Sequence, residues 1–149
     1  MKSFFTILFL TFSFYTFAQK THYNTHKGFI AEGYDVVSYF VNKKPLKGNK
    51  KYQTTFDGVK FQFISEKNLQ LFKINPKKYV PQYGGYCAYA IGLKSEKVDI
   101  NPKTFEIRDG KLYLFYNAWG VNTLKMWKNE GAEKLKEKAD KNWQKIIKK

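Results

Sequence analysis

Two Asp-Gly pairs, Asp57-Gly58 and Asp109-Gly110, constrain this chain more than any other feature, because each sits between two short runs in which apolar and polar residues alternate. A two-residue hairpin turn needs positive φ at both central positions, and Asp-Gly tolerates that well. The turn also sets the register. Around the first pair Phe56 falls opposite Val59, Thr54 opposite Phe61 and Tyr52 opposite Phe63. Val59, Phe61 and Phe63 then share one face, and Lys60 and Gln62 take the other. Around the second pair Ile107 faces Leu112, Phe105 faces Leu114 and Arg108 opposes Lys111. Each hairpin has an apolar face that another element must cover.

Helical spacing supplies the cover. Ser65 is placed to cap a helix from Glu66 to about Lys73, with Leu69 and Phe72 three apart on one side, and Asn75-Pro76 ends it. Val121, Leu124 and Trp127 suggest a further short helix that stops near Gly131. The last helix runs from about Ala132 to Ile147, with Leu135, Ala139, Trp143, Ile146 and Ile147 on one stripe and lysines on the other side. Glutamates and Asp140 are interspersed among those lysines, which favours packing on the sheet over a membrane surface. Val36 to Val41 reads as a short strand. The expected fold class is α+β: antiparallel β-hairpins with short packed helices and a C-terminal amphipathic helix.

The N-terminus sets an expected compartment. Met1-Lys2 is a short positive start, Phe4 to Phe17 carries no charge, and Thr16-Phe17-Ala18 ends on a small residue. That order is the pattern of a signal peptide over residues 1–18, cleaved near Ala18, and it is too short for a spanning helix, which needs about 20 apolar residues. A periplasmic or secreted protein is expected. Cleavage takes 18 residues off 149 and leaves 131, enough for one domain over residues 28–149 behind a flexible lead-in at 19–27.

The charge is large. Lys2 is the only charged residue of the leader, so the formal +15 falls to +14 in the mature chain. Nucleic acid is the usual partner of such a protein. Export argues against it, as do lysines spread along the chain and a single arginine, Arg108, where base readers favour the guanidinium fork. The lysines read as a solvated surface with weak attraction to anionic envelope polymers or lipid headgroups.

The chemistry narrows to one cysteine. Cys87 stands in Tyr83-Gly84-Gly85-Tyr86-Cys87-Ala88-Tyr89-Ala90 and has no partner for an internal disulfide, which leaves an intermolecular pair, a reactive thiol, a metal ligand or a buried apolar filler. Gly84 and Gly85 permit close approach of another group. Tyr83, Tyr86 and Tyr89 recur every three residues and are expected to line one side of a helical turn, with hydroxyls aimed at a thiolate or a bound anion. Asp35, after Gly33-Tyr34, reads as an acceptor of backbone hydrogen bonds in a turn and as a further candidate at the site. His22 and His26 have the i,i+4 spacing of a helical metal pair but lie in the polar lead-in.

Several of these segments together resemble exported proteins of the YHS-domain family. Gly33 to Phe40 resembles the opening of such proteins, and Phe61 to Ser65, Phe72 and Asn75-Pro76-Lys77-Lys78-Tyr79 resemble the core of the domain. Tyr83 to Ala90, Asp109 to Tyr116 and Ala139 to Trp143 resemble the tail of an exported subgroup. In that subgroup the position of Cys87 sometimes carries selenocysteine, which implies thiol or selenol reactivity. The resemblance also implies metal handling, with copper or another thiophilic ion as the cofactor. The cysteines that hold metal in such domains would fall at Ser38, Ile64 and Asn68, where this chain has none. If metal binds, Cys87 is then the anchor, with oxygen or histidine partners. Three functions are open: an exported binding module for a thiophilic metal, centred on Cys87 and lined by Tyr83, Gly84, Gly85, Tyr86, Tyr89 and Asp35; a thiol redox enzyme with Cys87 as nucleophile; and a basic envelope-associated structural protein.

Overall fold

The computed structural model describes residues 22–149, so the expected leader and its cleavage point lie outside the described residues. The fold is α+β. Two short strands, β1 (Thr25–His26) and β2 (Phe29–Ile30), precede a single helical turn, α1 (Ser38–Val41). The first hairpin follows as β3 (Asn49–Phe56) and β4 (Val59–Phe63), then α2 (Glu66–Ile74) and α3 (Pro76–Tyr79). A 3-10 turn at Gln82–Gly85 leads into α4 (Ala88–Lys94). The second hairpin is β5 (Asn101–Arg108) and β6 (Lys111–Phe115). A miniature hairpin, β7 (Asn117–Ala118) and β8 (Val121–Asn122), passes the chain to α5 (Thr123–Asn129) and α6 (Ala132–Ile147).

Both Asp-Gly turns form, with positive φ at Asp57, Gly58, Asp109 and Gly110. The second hairpin keeps the expected register at Phe105–Leu114, Ile107–Leu112 and Arg108–Lys111. The first keeps it at Phe56–Val59 and Thr54–Phe61, then slips: a bulge between Asn49 and Gln53 puts Asn49, not Tyr52, opposite Phe63. The cause lies beside Gln62, which was expected on the open face and is buried. Gly48 passes so close that an added Cβ would sit 2.5 Å from the Gln62 Cβ and 2.7 Å from its carbonyl carbon. Backbone crosses there where a side chain has no room.

Three further expectations are corrected. Val36 to Val41 is not a strand: the buried Asp35 carboxylate accepts from the N–H groups of Val37 (2.8 Å) and Ser38 (3.2 Å) and turns the chain into α1. Local side-chain bonding of this kind outcompetes a strand in a β-branched run. Val121 lies in β8, and α5 begins at Thr123. The described part of the lead-in, 22–27, is docked. β1 pairs antiparallel with β2, and β2 joins β4 in parallel, giving the strand order β1-β2-β4-β3.

Both hairpins contribute aromatic groups to one hydrophobic core. Phe61, Phe63 and Phe72 stack at centroid distances of 4.5 and 5.1 Å, under α2 capped by Ser65, whose hydroxyl accepts from Asn68 N–H. Tyr113 and Phe115 of β6 pack against Trp127, whose indole N–H donates to Glu106 (3.0 Å), and Leu112 and Leu114 are buried on the strand's other face. Helix α4 lies inside: Ala88 to Gly92 are buried, and an added Cβ on Gly92 would come within 2.7 Å of the Leu135 carbonyl of α6. Asn142 of α6 donates to the Ile91 carbonyl near the end of α4 (2.9 Å). Leu135 and Ala139 bury the stripe of α6 as expected, and no helix among the described residues is long and apolar enough to cross a membrane. Lysine ammonium groups lie over aromatic rings, Lys47 on Tyr34 and Lys97 on Tyr86 among them, so part of the charge covers the core's edge.

Candidate functional site

Cys87 is the residue just before α4, and its backbone is tied on both sides. Its N–H donates to Val98 O (2.9 Å), its carbonyl accepts from Ile91 N–H (3.1 Å), and it bridges Leu114 of β6. These bonds place the side chain under the β7–β8 hairpin, where it is 0% exposed. The Tyr116 N–H donates to Sγ at 3.4 Å, and Thr123 Oγ1 stands 3.3 Å away. Thr123 has one hydroxyl hydrogen, and it goes to Tyr116 O (2.9 Å). Toward the sulfur, Oγ1 is therefore the acceptor, and the thiol hydrogen donates to it. Both hydrogen-bonding roles of a neutral thiol are filled. The sulfur lies within the core rather than apart from it.

Room remains beside it. A cavity of about 270 Å³ has Cys87 and Thr123 at its closed end and Val98, Leu93, Val121 and Met126 along its walls. Leu93, Val121 and Met126 are partly exposed at the mouth, Met126 at 37%. Nothing reaches Sγ until a wall side chain moves, and the unbranched Met126 has the greatest freedom to do so. Sequence reasoning missed Thr123, Tyr116 and Met126. They lie 29 to 39 positions downstream, on elements brought over Cys87 only by the second hairpin's return.

The other residues of the run are split between two places. Of the expected lining set, only Tyr89 shares the Cys87 cavity. The three tyrosines do not form one face, because the chain around them is no regular helix: Tyr83, Gly84 and Gly85 all have positive φ. Their hydroxyls part company accordingly. Tyr83 donates to Asp140 (2.8 Å), Tyr86 to Tyr23 O (3.4 Å) and Tyr89 to Glu130 (2.7 Å), and none bonds Cys87. Burial first, and the Glu130 partner second, push Tyr89 up to about 12. Burial and Asp140 raise Tyr83 further.

Gly84 and Gly85 serve the lead-in. Asn24 donates its N–H to Gly84 O (2.8 Å) and its amide to Gly85 O (3.2 Å) and Asp99 (2.9 Å). At φ +61° a Gly84 side chain would be strained, and its Cβ would meet the His22 carbonyl at 2.0 Å. The two histidines form no helical pair: His22 lies edge-on to Trp143 with Lys97 on its Nδ1, whereas His26 is in β1.

Asp35 occupies a separate centre. It is 0% exposed and accepts four hydrogen bonds, from Val37 and Ser38 N–H on Oδ1 and from Ile64 N–H (2.9 Å) and Asn68 Nδ2 (2.7 Å) on Oδ2. The three positions singled out for absent metal-binding cysteines, Ser38, Ile64 and Asn68, thus converge on one carboxylate. Each presents an N–H donor to it, two from backbone and one from a side chain. That surrounding does not fit a metal ion, which needs lone pairs. The turn reading of Asp35 holds, and the carboxylate has no part in the Cys87 cavity.

The described residues form an α+β fold with two buried polar centres, one closed and one beside a cavity. Residues 37–83, about a third of the chain, match the family model of the YHS domain. The match supports kinship with that family over α1, the first hairpin, α2 and α3. It ends at Tyr83, so Cys87 and its cavity lie beyond it. No curated protein and no solved structure matches the chain.

Proposed function

We propose that this chain is an exported binding module for a soft monovalent metal ion, Cu(I) in its chemistry, taken up at Cys87. The observation that carries the reading is that Cys87 and Met126, the residues that bear a thiol and a thioether, line the same small and mostly apolar cavity. Thiolate and thioether sulfur select Cu(I) over harder ions. Among the described residues no three His, Cys, Asp or Glu side chains gather in a way that could hold a metal, so the donor set does not fit a four-coordinate zinc-type site. The resemblance to metal-handling YHS domains supports the same class of ligand.

When bound, the ion would add a soft Lewis-acid centre shielded from water. The protein's part follows from the bonds around Sγ. Cys87 gives up its thiol hydrogen, so uptake releases a proton. Thr123 Oγ1 loses the donor it accepts from, and the Tyr116 N–H goes on donating to the sulfur. Met126 would supply the second sulfur, and its unbranched side chain is the one freest to move aside for the ion. A base-activated redox nucleophile would hold a base in hydrogen-bond contact with Sγ. The hydrogen-bond partners of Sγ are a threonine hydroxyl and a backbone N–H, neither of them a base.

The test is a Cu(I) titration against a chromophoric chelator, run anaerobically on the mature chain beside Zn(II). One Cu(I) per chain with release of one proton is expected, with retention abolished in Cys87→Ser and weakened about tenfold or more in Met126→Leu. Equal Cu(I) retention by Cys87→Ser, or Zn(II) retained as tightly as Cu(I), would overturn the reading. Intact mass of the exported protein tests the compartment, with a start at Gln19 expected.

A further inference from the structure

The Tyr83 side of the run opens on a second and larger cavity of about 690 Å³, which shares no lining residue with the Cys87 cavity. It is walled by Tyr23 of the docked lead-in, Phe56 before the first hairpin turn, Tyr83, and Trp143 of α6. Two carboxylates face it, and both are already engaged. Asp57 accepts from the Tyr23 hydroxyl at 2.8 Å, and Asp140 accepts from Tyr83 at 2.8 Å and from Lys136 at 3.5 Å. Burial, and then Asp57, push Tyr23 up to about 12, so it stays a hydrogen donor to that carboxylate at neutral pH. Four polar side chains of the wall make no hydrogen bond or ion pair among the described residues: the amines of Lys77 and Lys111 and the amides of Gln82 and Gln144.

We propose that this cavity binds a small aromatic carboxylate, with Lys77 and Lys111 holding the anionic group and the Trp143, Tyr83 and Phe56 rings flanking the flat body. The volume suits a ligand of drug-like size. Ring walls favour a flat apolar body, by offset or edge contacts. Two unpaired ammonium groups favour one negative charge, through charge-assisted hydrogen bonds. A neutral sugar is the other ligand that aromatic walls attract, and the amide oxygens of Gln82 and Gln144 could accept from its hydroxyls, but it would leave both ammonium groups without the anion they favour.

Isothermal titration of the mature chain with 2-naphthoate, 2-naphthalenemethanol and diacetylchitobiose tests this directly. The naphthoate is expected to bind at one site, the neutral alcohol about tenfold more weakly, and the sugar without measurable heat. Lys77→Gln with Lys111→Gln, both on the exposed rim, should weaken naphthoate about tenfold and leave Cu(I) uptake unchanged, so the outcome is independent of the Cys87 reading. The proposal fails if naphthoate does not bind, if the alcohol binds as tightly, if the sugar displaces it, or if the double variant binds like the parent.

Discussion

Asp35 and Cys87 are both completely buried, yet one is closed and the other is open to change. Asp35 has four donors on two oxygens, supplied by α1, the end of β4 and α2, and no cavity among those described reaches it. Cys87 has one donor, one acceptor and an adjoining space of about 270 Å³. The difference teaches that burial alone does not tell a structural group from a functional one. What separates them is whether the group's bonding capacity is used up and whether there is room for something else to use it.

The comparison breaks most visibly at Asp35. Asp35→Ala would leave the Val37 and Ile64 N–H groups and the Asn68 amide without their acceptor, while Ser38 N–H keeps the Asp35 carbonyl (3.0 Å), and should cost about 4 kcal/mol in urea denaturation. Asp35→Asn keeps an oxygen for Val37 and Ser38 but turns an amide N–H toward two other donors, so about 3 kcal/mol is expected. A loss below about 1 kcal/mol for either variant would show that the carboxylate is not the tie between the N-terminal segment and the first hairpin.

Cys87→Ser should cost less, about 1 kcal/mol, because a hydroxyl can keep both the Thr123 and the Tyr116 bonds and only the sulfur's apolar contacts are lost. A cost as large as that of Asp35→Ala would erase the distinction drawn here and make Cys87 a core residue first. A further effect concerns alkaline pH. Tyr89 on the Cys87 cavity and Tyr113 of β6 are both pushed up to about 12, chiefly by burial. Their ordinary value is 10.0, so the fold favours the protonated form. Their contribution is complete below about pH 10 and is lost as pH rises through about 12. Stability measured from pH 9 to 12 should therefore fall, and Tyr89→Phe should fall less steeply than the parent.

Much of the fold was legible because it follows from local chemistry. Asp57-Gly58 and Asp109-Gly110 give two hairpins, Ser65 caps α2, Pro76 ends it, and the stripe of Leu135 and Ala139 marks the buried side of α6. What escaped was set by distant partners. The strand expected over Val36 to Val41 yields to Asp35, whose other oxygen is fixed by Ile64 and Asn68. The β7–β8 turn uses Trp119-Gly120, a pair without the usual turn residue at its first position, and leaves Trp119 94% exposed. The candidate site was legible as Cys87 and no further. Spacing grouped it with Tyr83 and Tyr86, whereas left-handed backbone at Tyr83 to Gly85 sends those rings elsewhere and the hairpin return brings Thr123 and Met126 instead.

Alkylation of Cys87 in the native protein tests the central claim most directly, since that claim is a buried thiol reachable through a soft-donor cavity. Iodoacetamide at neutral pH, followed by intact mass, should add one group without denaturant and faster than the chain unfolds. One equivalent of Cu(I) should suppress the reaction. A thiol that stays unlabelled until the protein is unfolded, with labelling of the unfolded chain indifferent to prior Cu(I), would contradict the account and make Cys87 a packing residue like its apolar neighbours.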